Sequence, residues 1–258
     1  MDTLQIRAYL DRIGAQWPKN TNAQSLRKLT RAHLEQVPFE NLQITETSQD
    51  VSLEEADLYH KVVDNRRGGF CFELNKLYFL LLKGLGFQVD PVPVRVLMGR
   101  PEPCPFSHRG TLAVTEEGRW YVDVGFGGLG PKGIINVDIP DIQTIVGEHF
   151  RVVWEGNTCV VIRVDPGKET RMLAFRNESW LDVDFKYWSG YFASSPNSPF
   201  RNKRVCYLCT PTGWLSMVKD VLTVFDSGVT TVRELNSEEE IRSVITEQFH
   251  LLIPEWSE

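Results

Sequence analysis

The chain of 258 residues has no apolar run near the roughly 18 residues that a membrane-spanning helix requires, so no span is expected. Positive charge is not in surplus either: 28 Lys and Arg stand against 34 Asp and Glu, a net charge of -6. That balance argues against a nucleic-acid surface, which needs a basic face. Cysteine is scarce and odd in number, at five, and Met1 to Arg7 has no basic flank leading into an apolar stretch. A disulfide framework is therefore not expected, and the chain reads as cytoplasmic with reduced thiols. Internal repeats and low-complexity tracts are missing as well. What remains is an ordinary globular composition, 42% hydrophobic and 24% charged, in a chain long enough for one large domain or two to three small ones.

Cys206-Tyr-Leu-Cys209 has the spacing of a metal or redox pair, but its surroundings read as strand, turn, strand. Positions three apart on a strand point to opposite faces, and no second pair or neighbouring His-x-His completes four ligands, so no metal site is expected.

Cys71 sits differently. It follows Gly68-Gly69-Phe70 and opens a segment in which Leu74, Leu77, Tyr78, Leu81 and Leu85 recur at helical spacing, with Gly84 and Gly86 as stop signals. The glycines allow a sharp turn and a close approach to the backbone. A side chain in the first turn of a helix meets unpaired N–H groups and the positive end of the dipole, both of which favour thiolate over thiol. A free cysteine, with a pKa near ~8.5, is mostly neutral in the cell. Two readings stay open, a small buried hydrophobe and a nucleophile.

Around it, the first third reads as helical. Asp2 with Gln5 opens one helix stopped by Gly14, Ser25 to Val37 forms a second, and Ser52 with Glu55 has the pattern of a capping box before a third. From Phe87 the period becomes two, giving strands near Val92 to Val96, Thr111 to Thr115, Trp120 to Val124, Phe150 to Trp154, Thr158 to Val164 and Arg171 to Phe175. Residues 177–202 read as an irregular, aromatic-rich loop. Strands resume at Val205 to Thr210, Trp214 to Val218 and Leu222 to Phe225, before a helix after Ser237.

A nucleophilic cysteine needs an imidazole to hold its proton and a third group to orient that imidazole. Among five histidines, His33 and His250 read as structural, His60 lies in the third helix and His149 in a connection. His108 stands out after a Pro-rich loop and before a strand, and Asp123 is an acid inside an otherwise apolar strand. Burying that acid unpaired is costly, so it has a strong partner, either backbone or His108. A tight hairpin at Glu116 to Gly118 places Asp123 near Thr111 or Leu112, which leaves His108 three or four residues along, roughly 10–13 Å away. Contact then requires a bulge, strong curvature or a bend before Arg109.

Arg67-Gly-Gly-Phe-Cys71-Phe-Glu-Leu-Asn75, Ser107-His108 with its strand, and Asp123-Val-Gly-Phe-Gly127 together resemble the arylamine N-acetyltransferase family. Val37-Pro-Phe-Glu-Asn-Leu42 and Ser195-Pro-Asn-Ser-Pro-Phe200 are similar to further family motifs. The resemblance implies an α+β fold with a cysteine-protease-like core: a helical bundle over 1–86 carrying the nucleophile, a β-barrel over 87–192 carrying His and Asp, and an α/β lid over 193–258. It implies a triad of Cys71, His108 and Asp123. Phe39, Ser107 and Phe126 are expected at the acceptor pocket, Gly127 and Gly128 along the cofactor channel, and Arg67 paired with Glu40. Acetyl-CoA is the implied donor and an arylamine or arylhydrazine the acceptor, with coenzyme A released, no metal, and an acetyl-cysteine intermediate giving ping-pong kinetics. The aromatic stretch from Trp180 to Phe200 is the expected barrier against water. The rival readings are a transglutaminase-like or protease-like hydrolase, an amide synthase of natural-product assembly, and a non-catalytic domain retaining the fold.

Overall fold

The computed structural model describes residues 1–47, 50–100, 102–128 and 130–252. Helix α1 (Thr3–Arg12) begins with the expected reciprocal cap, Gln5 N–H donating to Asp2 and Asp2 N–H to Gln5. Helix α2 (Ala23–Gln36) is capped by Asn22 and buries Leu26, Leu29 and His33. Strand β1 (Phe39–Glu40) and short helices α3 (Leu42–Glu46) and α4 (Glu55–Tyr59) follow, and α4 runs into one π-type turn at His60–Asp64. The capping box expected of Ser52 and Glu55 does not form. Glu54 is the cap residue of α4, while the Ser52 hydroxyl donates to Asp57 and accepts from Glu54 N–H, making a local turn instead.

Helix α5 (Cys71–Gly84) is the central element of the helical part, with ten of its residues buried. Its start is fixed by Glu73, whose carboxylate accepts from Phe70 N–H at 3.0 Å and pairs with Lys61 Nζ at 2.7 Å. The two glycines before it lie against β1. Phe39 and Gly69 form a parallel bridge, and a Cβ on Gly68 would come within 2.1 Å of the Pro38 carbonyl oxygen. The Gly-Gly pair is thus a close-approach device that lets 68–69 run beside 38–40. The expected Arg67–Glu40 ion pair is present at 2.7 Å, buried on both sides.

Eight antiparallel strands form the barrel-like sheet, in the order β5-β4-β3-β2-β9-β8-β7-β6. In chain order they are β2 (Gln88–Val96), β3 (Phe106–Thr115), β4 (Gly118–Val122), β5 (Ile135–Asn136), β6 (Gln143–Ile145), β7 (Glu148–Glu155), β8 (Thr158–Asp165) and β9 (Lys168–Arg176). The two end strands meet through a side chain. Gln143 on β6 donates to the Asn136 carbonyl on β5 at 2.7 Å and accepts from its N–H at 2.8 Å, mimicking a ladder across the seam. The interior is filled by alternating residues, among them Val92, Leu112, Tyr121, Phe150, Val161 and Phe175.

The region read as an irregular loop contains helix α6 (Asp182–Ser194). Phe185, Trp188 and Phe192 recur at three and four residues and turn inward, and Asp184 caps the Leu181 N–H at 3.0 Å. The aromatic residues and Gly190 carry weak helix propensity, which hides this period, and tertiary packing decides the outcome. A second sheet, β1-β10-β11-β12-β13, follows with β10 (Val205–Thr210), β11 (Gly213–Val218), β12 (Val221–Asp226) and β13 (Val229–Glu234), the last of which was not expected. All six β13 residues are exposed, so it lacks the alternating apolar signal. Helix α7 (Glu238–Glu247), capped by Ser237, packs Ile241, Val244 and Ile245 on this sheet. Cys206 and Cys209 face different cores from β10, as their spacing requires. Among the described residues no helix is long and apolar enough to cross a membrane.

Candidate active site

Cys71 is the first residue of α5 and is 3% exposed. One helical turn on, Asn75 presents its amide on the same face and ties three segments together. Its Nδ2 donates to the Arg109 carbonyl at 2.6 Å and to Asp123 Oδ1 at 2.8 Å, and its Oδ1 accepts from Val124 N–H at 2.9 Å. The helix bearing the thiol is thereby fixed to β3 and to the chain leaving β4. Nothing in the sequence reading singled out Asn75, although a carboxamide inside so apolar a helix is the kind of signal that marks a buried polar contact.

His108 and Asp123 are in direct contact, Nε2 to Oδ2 at 2.6 Å. Two features remove the gap expected from an idealised hairpin. Thr111 pairs with Val122, so the register aims Asp123 at Gly110, only two residues from His108 and on the same face. The β2–β3 ladder also skips a residue: Val94 pairs with His108 and Arg95 with Phe106, leaving Ser107 as a bulge. That extra residue lets Ser107 and His108, which a regular strand would point apart, line one cavity.

The Asp123 carboxylate is 1% exposed and fully partnered. Oδ2 accepts from His108 and from the Tyr121 hydroxyl at 2.6 Å, and Oδ1 from Asn75 and from Gly125 N–H at 2.9 Å. Burial works against its charge, yet His108 and these donors outweigh it and hold the carboxyl below its usual range. Burial likewise opposes a charge on His108, but Asp123, together with a hydrogen bond and charge interaction with Cys71, pushes it up to about 10. The surroundings thus favour the charged imidazole, with Nε2 committed to Asp123. Tyr121 was also missed by the sequence reading. Its ring stacks on Phe175 and its hydroxyl, kept neutral by burial and by Asp123, reaches the carboxylate across the bare backbone of Gly110. A Cβ on Gly110 would lie 2.6 Å from the Tyr121 ring and 2.8 Å from its oxygen. Gly110→Ala is accordingly expected to lower stability by about 1–3 kcal/mol through overpacking, read as a shifted urea midpoint at constant slope.

The other histidines play no part. His33 is buried on Tyr9, Nδ1 to hydroxyl at 3.0 Å, and burial drives it down to about 3, so it stays neutral. His60 pairs with Asp64 on the surface, and His149 contacts Thr144.

Cys71 and His108 open onto a cavity of ≈ 400 Å³. Phe39, Ser107, Phe126, Gly127 and Gly128 all line it, whereas Asp123 stands behind His108, outside the wall. Phe126 meets His108 edge to face at 5.4 Å. From the aromatic segment, Phe192, Pro199 and Phe200 reach the cavity. Trp180 instead packs on Phe106 and Phe185, and Tyr187 is 75% exposed, so the stretch from Trp180 to Phe200 meets the cavity only at its C-terminal end. Besides His108, Arg100 and Lys203 are the charged residues among the described ones that line the wall, with no Asp or Glu. Among the described residues no group of His, Cys, Asp or Glu is arranged to hold a metal ion. The arrangement offers an orientable thiol, a proton carrier and a flat, aromatic-walled space with two cations.

The N-acetyltransferase family model matches residues 22–256. An arylamine N-acetyltransferase of Mycolicibacterium smegmatis is 28% identical over 251 residues, covering 95% of this chain and 91% of that protein. The solved structure of the Salmonella typhimurium arylamine N-acetyltransferase superposes with a TM-score of 0.92 at 27% identity, over 97% of this chain and 92% of its own. That of the Mycobacterium marinum enzyme in complex with CoA gives 0.88 at 25% identity, over 95% and 92%. The chain carrying this buried Cys, His and Asp belongs to the arylamine N-acetyltransferase family.

Proposed function

We propose that this chain transfers an acetyl group from acetyl-CoA to the nitrogen of an arylamine or arylhydrazine through an acetyl-thioester on Cys71. The observation that carries the reading is the buried Cys71–His108–Asp123 relay opening onto an aromatic cavity. The sulfur attacks the thioester carbonyl of the donor, the carbon–sulfur bond to CoA breaks, and His108 gives its proton to the departing CoA sulfur. His108 is then left neutral, and acetylation removes the smaller Cys71 contribution to its charge while the larger one from Asp123 remains. The neutral imidazole then accepts the proton of an attacking amine as the acetyl–sulfur bond breaks, which restores the starting pair. An amine of low basicity suits this step because it is largely unprotonated at neutral pH.

The cavity fits both partners. Phe39, Phe126, Phe192 and Phe200 provide flat apolar walls for an aromatic ring. Arg100 and Lys203 offer charge to the anionic coenzyme, and Arg201 and Lys219 line the adjoining surface groove that shares Lys203. The CoA complex of the Mycobacterium marinum relative supports the choice of donor. Gly127 and Gly128, both at positive φ, leave the wall beside Phe39 without side chains, which supports a channel there. A hydrolase reading lacks an equivalent support, since the walls favour an aromatic acceptor over an extended peptide.

The test is steady-state kinetics with acetyl-CoA and an aromatic amine varied together. Parallel double-reciprocal lines are expected of two half-reactions separated by release of CoA. Lines that converge would require both substrates to be bound at once and would remove the acetyl-enzyme from the scheme.

A further inference from the structure

The chain leaving the active site through Gly130 and Pro131 runs into Lys132, Gly133 and Ile134, and these three line a second cavity of ≈ 450 Å³. Among the described residues it shares no lining residue with the cavity at Cys71. Its size is that of a small-molecule site. Trp120, Ile134 and Ile145 are among its apolar residues. Arg27 and Arg31 from α2 and the buried Lys132 are its basic ones, and no Asp or Glu is among the described residues that line it. Glu35 and Glu148, the ion-pair partners of Arg31 and Lys132, sit outside it.

Two details indicate what such a wall would take. Arg31 uses Nε on Glu35 and Nη2 on the Thr210 carbonyl, but its Nη1 is buried without a hydrogen-bond partner among the described residues. A buried guanidinium N–H without an acceptor is rare, and a turn of the Arg31 side chain would bring it to an acidic oxygen in the cavity. The Arg27 guanidinium lies over the Trp120 ring at 5.7 Å from its centroid, which sets a cation beside an aromatic plane. We propose that this cavity is a second binding site, separate from the acetyl-transfer site, for a small aromatic anion. Its carboxylate or sulfonate lies among Arg27, Arg31 and Lys132, and its ring rests against Trp120 and Ile134.

Isothermal titration of the full chain with 2-naphthoate, with and without saturating coenzyme A, tests this. One equivalent is expected to bind in both conditions. Arg31→Met and Arg27→Met should each weaken binding roughly tenfold or more, as should replacing the ligand by neutral 2-naphthamide. No binding, displacement by coenzyme A, or an affinity unchanged in the variants would overturn the site. Arg27 is exposed, so Arg27→Met decides the matter alone if Arg31→Met does not fold.

Discussion

Cys71→Ala is expected to lower kcat/KM for acetyl transfer by about 10⁴-fold or more while leaving the folded state intact. No other cysteine is placed to carry the acetyl. Each of the other four cysteines is buried. Burial pushes the Cys159 thiol up to about 12 and raises Cys206 and Cys209 as well, which holds them as inert thiols. Cys71 alone lines the cavity and touches His108. Alanine removes only the sulfur from a helix-opening position whose backbone geometry is set by Glu73 and Asn75, so the thermal midpoint should move little. Rates of CoA release for wild type and variant, beside their melting curves, check both halves. A variant retaining a tenth of wild-type activity would mean that the amine attacks acetyl-CoA directly.

Asp123→Asn is the second large effect, with activity expected to fall by about 10³–10⁴-fold. The carboxylate accepts four hydrogen bonds, and an amide in its place must turn an NH₂ either toward Asn75 Nδ2 and Gly125 N–H or toward His108 and Tyr121. The first choice sets donor against donor, and the second makes Nε2 of His108 the acceptor and so puts the imidazole in the wrong tautomer. The charge effect is as large. With Asp123 gone, burial is the main influence left on His108, and its proton is lost at much lower pH than about 10. The sign of the stability change follows. His108 is raised in the folded state, so its contribution is complete below the unfolded value near ~6.5 and is lost as pH rises toward about 10. Asp123 is lowered, so its contribution is present above the ordinary carboxyl range and is lost on acidification through it. Wild type should therefore lose stability both below roughly pH 4 and between roughly pH 6.5 and 10 from this pair. Asp123→Asn should flatten both slopes. Denaturant unfolding across pH measures them.

How far the sequence discloses this site depends on how local each feature is. Cys71 at a helix start is legible because Gly-Gly, Glu73 and the leucine period lie within one short stretch. The pairing of His108 with Asp123 is only half legible. The residue types raise the question, but the answer depends on one step of register and on the bulge at Ser107, neither of which alternation encodes. Asn75 and Tyr121 escape notice because their value lies in where their tips end, which only the assembled barrel determines. Helix α6 is hidden by residues that favour strands in isolation and become helical against α5 and β3. Its Asp182 illustrates the same limit, since it gathers Arg109 at 2.8 Å and Lys76 at 3.0 Å from two elements far apart in sequence.

Intact-protein mass spectrometry after mixing with acetyl-CoA alone, with no amine present, addresses the central claim directly. One acetyl group is expected on the wild-type chain, mapped to Cys71, absent from Cys71→Ala and discharged when an aromatic amine is added. An unmodified wild-type chain that nevertheless acetylates the amine, or an acetyl group that persists in Cys71→Ala, would contradict the account.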